Sequence, residues 1–269
     1  MIVEWNAHMF SRDHQRYPFL PGAAYIPGEE SRAADPVGQY IQHMEDVGLD
    51  RAVLVQPEPY GDDHRLVLDC LKRDPQRLKA TCFFLPRDRS ALSKLSDLVA
   101  TQPGIVALRF HLHRGKEGFY FSSFYEVSVR ALWERAAALG LVVELHIGPD
   151  VARQVADAVR DYPETPVLID HLAEPGMGAP EEYRDVLALG RYPNVTMKLS
   201  GLSHFSRQRE PYLDAKPLVM DVAAAFGPDR LAWSSGSPAI VDALLDHWSP
   251  AERARVKGSN LARLAGFVG

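Results

Sequence analysis

Glu144 and His146 interrupt an apolar, β-branched run over residues 141–147 at alternate positions, so an extended backbone places both on one face. Glu4, Asn6, His8 and Phe10 repeat that spacing along 2–10 and are expected on one face, and Arg109 stands alone in the apolar run 105–110. Ionisable groups on the face of a buried strand need partners or a cavity. Imidazole moves protons near neutral pH, and a guanidinium can hold a carboxylate at two points. His8, His146, His171 and Arg109 are therefore the first hint of a site, the imidazoles able to move protons and the guanidinium to bind an anion. The same three histidines could instead hold a divalent ion and leave one position open.

Other polar residues carry two readings each. Glu144 and Lys198 read as a satisfied buried pair, with Lys198 the counter-charge that makes Glu144 tolerable. Arg109 then faces either Glu144 or a substrate carboxylate. Asp170 precedes His171, and neighbours in a strand point opposite ways, so Asp170 is expected to anchor backbone. His111 and His113 have the alternating spacing of a metal pair, but nothing nearby in sequence adds a ligand, and the expectation is a loop whose histidines face solvent. Ser200, His204 and Arg207 follow one another into a Ser- and Arg-rich stretch that suits either a substrate loop or a solvated one. The aromatic run 119–125 lines a pocket or packs in the core.

These residues fall at the ends of strands. Strands are expected over 2–8, 52–56, 79–85, 105–110, 141–147, 167–171, 195–200 and 230–235, with helices over 36–49, 65–78, 90–100, 124–139, 151–162, 180–189 and 218–226 and further helices from about Ala239 and Pro250. Strict alternation of strand and helix implies a parallel sheet. Eight units, about 250 residues and polar strand ends favour a closed (β/α)8 TIM barrel, taken as one domain over 1–269. No glycine-rich turn follows the first strand, which argues against a dinucleotide-binding sheet. The Pro/Gly-rich loop 17–28 is long enough to cover a site.

Composition narrows the partners. The net charge of the 269 residues is −5 with both signs interspersed, so no basic stripe serves a nucleic acid. The N-terminus has no basic region followed by a long apolar one, and neither secretion nor membrane insertion is expected. Cys70 and Cys82 lack metal-type spacing and read as reduced core thiols, which points to the cytoplasm.

Five stretches add a likeness: Asn6-Ala7-His8-Met9-Phe10; Ile169-Asp170-His171-Leu172-Ala173-Glu174-Pro175; Lys198-Leu199-Ser200-Gly201-Leu202; Arg230-Leu231-Ala232-Trp233-Ser234-Ser235-Gly236-Ser237-Pro238; and Asn260 through Phe267. Jointly they resemble the amidohydrolase superfamily, in particular its lactonase and decarboxylase branch. In metal-dependent members two first-strand histidines, a fifth-strand histidine and an eighth-strand aspartate hold a divalent ion. His8 and His146 match two of these, while Phe10 and Gly236 stand at the others. A metal-free subgroup opens lactones of dicarboxylic acids with first- and sixth-strand histidines, clamping arginines and the eighth-strand aspartate as base. The resemblance gives those places to His8, His171, Arg109 and Arg207, and Gly236 stands where the base would be.

The expectation is thus a metal-independent, amidohydrolase-like hydrolase that opens a small lactone or related ester. His8, His171 and His146 are its catalytic residues, and Arg109, Arg207, Asn6, Ser200 and His204 bind substrate. No cofactor is expected, with zinc on His8, His146 and His171 as the alternative. The partner is a small anionic or aromatic molecule, and a homodimer is compatible with the family. The missing aspartate leaves open a decarboxylase, lyase, isomerase or cyclase on the same barrel, and a silent ligand-binding barrel is the third reading.

Overall fold

A computed structural model describes residues 1–113 and 120–267. Eight parallel strands follow one another in sequence order: β1 (Val3–Ala7), β2 (Arg51–Val55), β3 (Leu78–Phe83), β4 (Ile105–Leu112), β5 (Val142–Ile147), β6 (Val167–Ile169), β7 (Val195–Leu199) and β8 (Leu231–Trp233). The Trp5 N–H donates to the Ser234 carbonyl just after β8, which brings the last strand to the first and makes the (β/α)8 barrel. The helices α1 (Pro36–Val47), α2 (Arg65–Arg73), α3 (Ala91–Thr101), α4 (Val127–Ala138), α5 (Ala152–Asp161), α6 (Tyr183–Ala188) and α7 (Lys216–Phe226) each return the chain to the next strand. After β8 come α8 (Ala239–Leu244), α9 (Pro250–Ala254), a π-turn at Arg255–Ser259 and α10 (Asn260–Ala265).

Local signals explain several boundaries. Asp35 caps α1 by accepting from the Gly38 N–H, and Gly48 ends it at φ 73°. The helix expected over 65–78 stops at Arg73, because Pro75 disfavours helical geometry at Asp74. β4 runs two residues beyond the expected 105–110 and takes His111 into the barrel.

Inside the barrel, side chains stack in layers. Val3, Trp5, Val53, Val55, Ala107, Val142, Leu168 and Ala232 form the floor, sealed from below by Leu261, Ala262 and Ala265 of α10. Above them sits a charged layer of Arg109, Glu144, Asp170 and Lys198, each no more than 3% exposed. One expectation fails here: Glu4 does not share a face with Asn6 and His8. The register of β1 shifts between Glu4 and Ala7, which turns Trp5 inward and sends Glu4 outward to the Tyr40 hydroxyl on α1, 2.5 Å away.

Within the aromatic run 119–125, Tyr120, Phe121 and Phe124 are core, and Tyr125 is exposed. Phe121 and Phe124 pack edge-on against Phe110, which stacks on Trp133, while Phe119 lies outside the described residues. Cys70 and Cys82 are buried and free. No helix among the described residues is long and apolar enough to cross a membrane.

Candidate active site

The strand register places the polar residues of β4 and β5 side by side: Arg109 beside Glu144, and His111 beside His146. Lys198 of β7 pairs with Glu144 and, at 2.7 Å, with Asp170. Arg109 donates to Asp170 Oδ2 from Nε at 3.0 Å and from Nη2 at 2.7 Å. The backbone-anchoring role expected for Asp170 is therefore wrong; it joins two cations across the barrel. Arg109 likewise finds its carboxylate in Asp170, neither in Glu144 nor in a vacant clamp. Burial works against the guanidinium, and the Asp170 and Glu144 charges more than offset it, so Arg109 stays cationic. Burial also favours the acid form of Asp170, but Lys198 and Arg109 hold its carboxyl well below the ordinary range.

The reason Asp170 and His171 both face inward lies in the backbone. From His171 through Glu174 four successive non-glycine residues have φ between 46° and 57°. This left-handed turn breaks strand alternation at the end of β6, and it is a conformation that side chains resist by roughly 1–2 kcal/mol each. It delivers His171 to the pocket, with Nδ1 2.9 Å from Ser200 Oγ, and swings Glu174 under His146.

Glu174 is the anchor of the histidine wall. It is 2% exposed, and its Oε1 lies 2.8 Å from His146 Nε2 while His204 Nδ1 donates at 3.0 Å. Burial would raise its pKa, but the bonds from His146 and His204 outweigh that and hold it at about 2. Arg109 Nη2 lies 3.3 Å from His146 Nδ1. A guanidinium only donates, so His146 Nδ1 accepts and its proton sits on Nε2, toward Glu174. Burial, then the nearby His111, push the His146 imidazole well below its ordinary range. Burial pushes His8 and His171 each down to about 3. The hydrogen bond to Glu174 raises His204.

These groups surround a cavity of about 470 Å³ at the C-terminal ends of the strands. Asn6, His8, Arg109, His146, His171 and His204 all line it, so six of the expected site residues come together. Asn6 Oδ1 and His8 Nδ1 are buried without a hydrogen-bond partner among the described residues. Ser200 is behind the wall, its hydroxyl engaged with His171, and Arg207 is exposed outside the lining with its backbone N–H on Asp214. His111 and His113 also line the cavity, 3% and 6% exposed, which overturns the surface expectation. Glu58, Tyr25 and Glu174 were missed. Glu58 follows β2 by three residues and Glu174 follows His171 by three, so an acid just past a strand end was the available signal.

At the positions where the resemblance would place a metal, the residues do not fit. Phe10, whose ring stacks beside His8 at 6.4 Å, and Gly236 offer no donor atom. Among the described residues the ligand atoms that converge are those of His111, His113 and His146, and those of His146, His171 and Glu174. The expected trio of His8, His146 and His171 is not one of these groups.

A sequence model of a family described as amidohydrolase matches residues 5–267. The chain is 26% identical over 225 residues to a 4-sulfomuconolactone hydrolase of Rhizobium radiobacter, covering 82% of this chain and 71% of that one. It is 28% identical over 196 residues to an L-fucono-1,5-lactonase of Burkholderia ambifaria, covering 71% and 66%. Among solved structures, a probable 2-pyrone-4,6-dicarboxylic acid hydrolase from Acinetobacter baumannii with citric acid bound superposes with a TM-score of 0.80 over 99% of each chain. At 21% identity that likeness is one of fold.

Proposed function

This chain belongs to the amidohydrolase family, matched over residues 5–267, and we propose that it hydrolyses a small lactone. The observation that carries the reading is His171 held at the pocket wall by Ser200. With the Nδ1 proton directed to Ser200 Oγ, Nε2 carries the lone pair and faces the reacting centre as a general base. The names of the lactonase relatives support the same reaction class.

In the proposed reaction, a water oxygen adds to the lactone carbonyl carbon as His171 Nε2 takes its proton. The oxyanion that forms is met by the Nη1 of Arg109, whose Nε and Nη2 are already engaged, and by the Asn6 amide. Collapse breaks the ring carbon–oxygen bond, and the alkoxide recovers the proton from His171. His8 positions the substrate, and the His146 ring, fixed by Glu174, forms the wall it packs against. The family's metal position supplies no ion in this scheme; side chains carry the proton transfers. Buried, free cysteines support a reducing compartment such as the cytoplasm.

Hydrolysis of a panel of lactones in ¹⁸O-labelled water tests the reading. One label is expected in the product carboxylate, and His171→Ala is expected to lower kcat by about 10²–10⁴-fold with the fold intact by circular dichroism. An unlabelled product would instead assign the barrel to non-hydrolytic chemistry.

A further inference from the structure

The catalytic scheme leaves His111, His113 and Glu58 without a task. We propose that His111, His113 and His146 form a site for one divalent transition-metal ion of the zinc type, sharing only His146 with the family's metal position. One ring nitrogen from each of the three lies within 4.8 Å of the others. His111 Nε2 and His113 Nε2 are 3.0 Å apart. Two ligands of a tetrahedral ion with bonds of about 2.0–2.1 Å stand roughly 3.3 Å apart, so little movement is needed.

The outer nitrogens complete the pattern. Glu174 Oε1 lies 2.8 Å from His146 Nε2 in a hydrogen bond, and Glu58 Oε1 lies 2.9 Å from His111 Nδ1, an ion-pair contact whose angle is not that of a hydrogen bond. A carboxylate on the far nitrogen orients a ligating imidazole and makes it more basic. It leaves His111 Nε2 and His146 Nδ1 as the ligating atoms, beside His113 Nε2. Imidazole donors suit zinc, cobalt, nickel and copper. The nearby cation, Arg109, yields its 3.3 Å contact to His146 Nδ1 and keeps two bonds to Asp170.

Three protein ligands leave a coordination position for water, whose pKa such an ion lowers toward about 7. That eases the proton transfer to His171. This role rests on the lactonase reading, whereas the site does not.

Chelator-treated protein titrated with zinc by calorimetry, and with cobalt(II) by visible absorption, tests the site. Expected are one ion per chain and the intense bands of tetrahedral cobalt, with both lost in His111→Gln and His113→Gln. Glu58→Gln is expected to weaken binding by roughly 10- to 100-fold, and it carries the test if the histidine variants do not fold. His171→Gln is expected to bind as the parent does. Absence of binding, or binding unchanged in His113→Gln and Glu58→Gln, overturns the site. Loss confined to His171→Gln also overturns it and moves the ion to His146, His171 and Glu174. Lactone turnover is measured separately, so a chain that binds the ion yet hydrolyses nothing keeps the site and removes the hydrolase reading.

Discussion

His171 divides its two nitrogens between structure and chemistry, and its depressed pKa has consequences that can be measured. Because the folded value is about 3, its base form persists well below the ordinary 6.5. In metal-stripped protein the acid limb of kcat is therefore predicted to lie far below pH 6.5, with kcat nearly flat between about pH 7 and 5. A break near 6.5 in that profile would remove His171 as the base. Stability should behave differently from rate. His8, His171 and the buried His64, which precedes α2 and accepts from the Phe83 N–H, have folded pKa values of about 3, 3 and 4, below the 6.5 of the unfolded chain. Between those limits the unfolded chain binds more protons, so stability falls as pH drops through that window. Glu174, at about 2 against 4.5, adds a loss of the same sign at lower pH. A melting temperature that failed to fall from about pH 7 to 4.5 would contradict this. Glu174→Gln is predicted to lower kcat by about 10-fold or more, because the acceptor that sets the His146 tautomer loses its charge. An unchanged rate in that variant would separate Glu174 from the reaction.

The turn after β6 and the glycine after β7 work as a pair. The left-handed run His171–Ala173 continues into Glu174 and projects His171 across the barrel toward β7, where Gly201 makes room for it. Gly201 has φ 67°, and a Cβ there would lie 2.6 Å from His171 Cβ and 2.8 Å from its Cγ. No real contact is that short, so His171 would have to move. Gly201→Ala is predicted to lower kcat by at least about 100-fold, since a displacement near 1 Å costs that much, and to lose about 1–2 kcal/mol of stability from the positive φ. Kinetics and denaturant unfolding of this one variant test both statements. A variant with normal kcat would show that the wall tolerates a shifted imidazole.

Across the barrel, the charged layer ties β4, β5, β6 and β7 together beneath the pocket. Arg109, at the cavity's edge, and the fully buried Lys198 face the fully buried Asp170 and Glu144, and Trp5 Nε1 donates to Glu144 Oε2 at 3.2 Å from β1. Burial pushes the Glu144 carboxyl up despite Lys198. Removing one member of such a network leaves an opposite charge stranded, so Lys198→Met is predicted to destabilise by about 3–5 kcal/mol. Adding Glu144→Leu is predicted to recover part of that loss, because Asp170 keeps Arg109. A double variant no more stable than Lys198→Met would show that the layer does not act as a coupled unit.

The sequence by itself determined the barrel. Eight short apolar runs separated by helical periodicity, with helix stops such as Gly48 and polar residues at the strand ends, leave few topologies, because these are local patterns read over a handful of residues. It also placed Asn6, His8, Arg109, His146, His171 and His204 at one end, since strand order alone puts those ends together. Tertiary structure decided what each of them does. The bulge in β1 that turns Glu4 away, the left-handed turn that sends Asp170 and His171 to the same side, and the pairing of Glu58 and Glu174 with histidines far off in the chain depend on backbone departures and long-range neighbours. A period of two residues cannot report a place where the period breaks, and side chains 28 residues apart, as His146 and Glu174 are, meet only when the sheet closes.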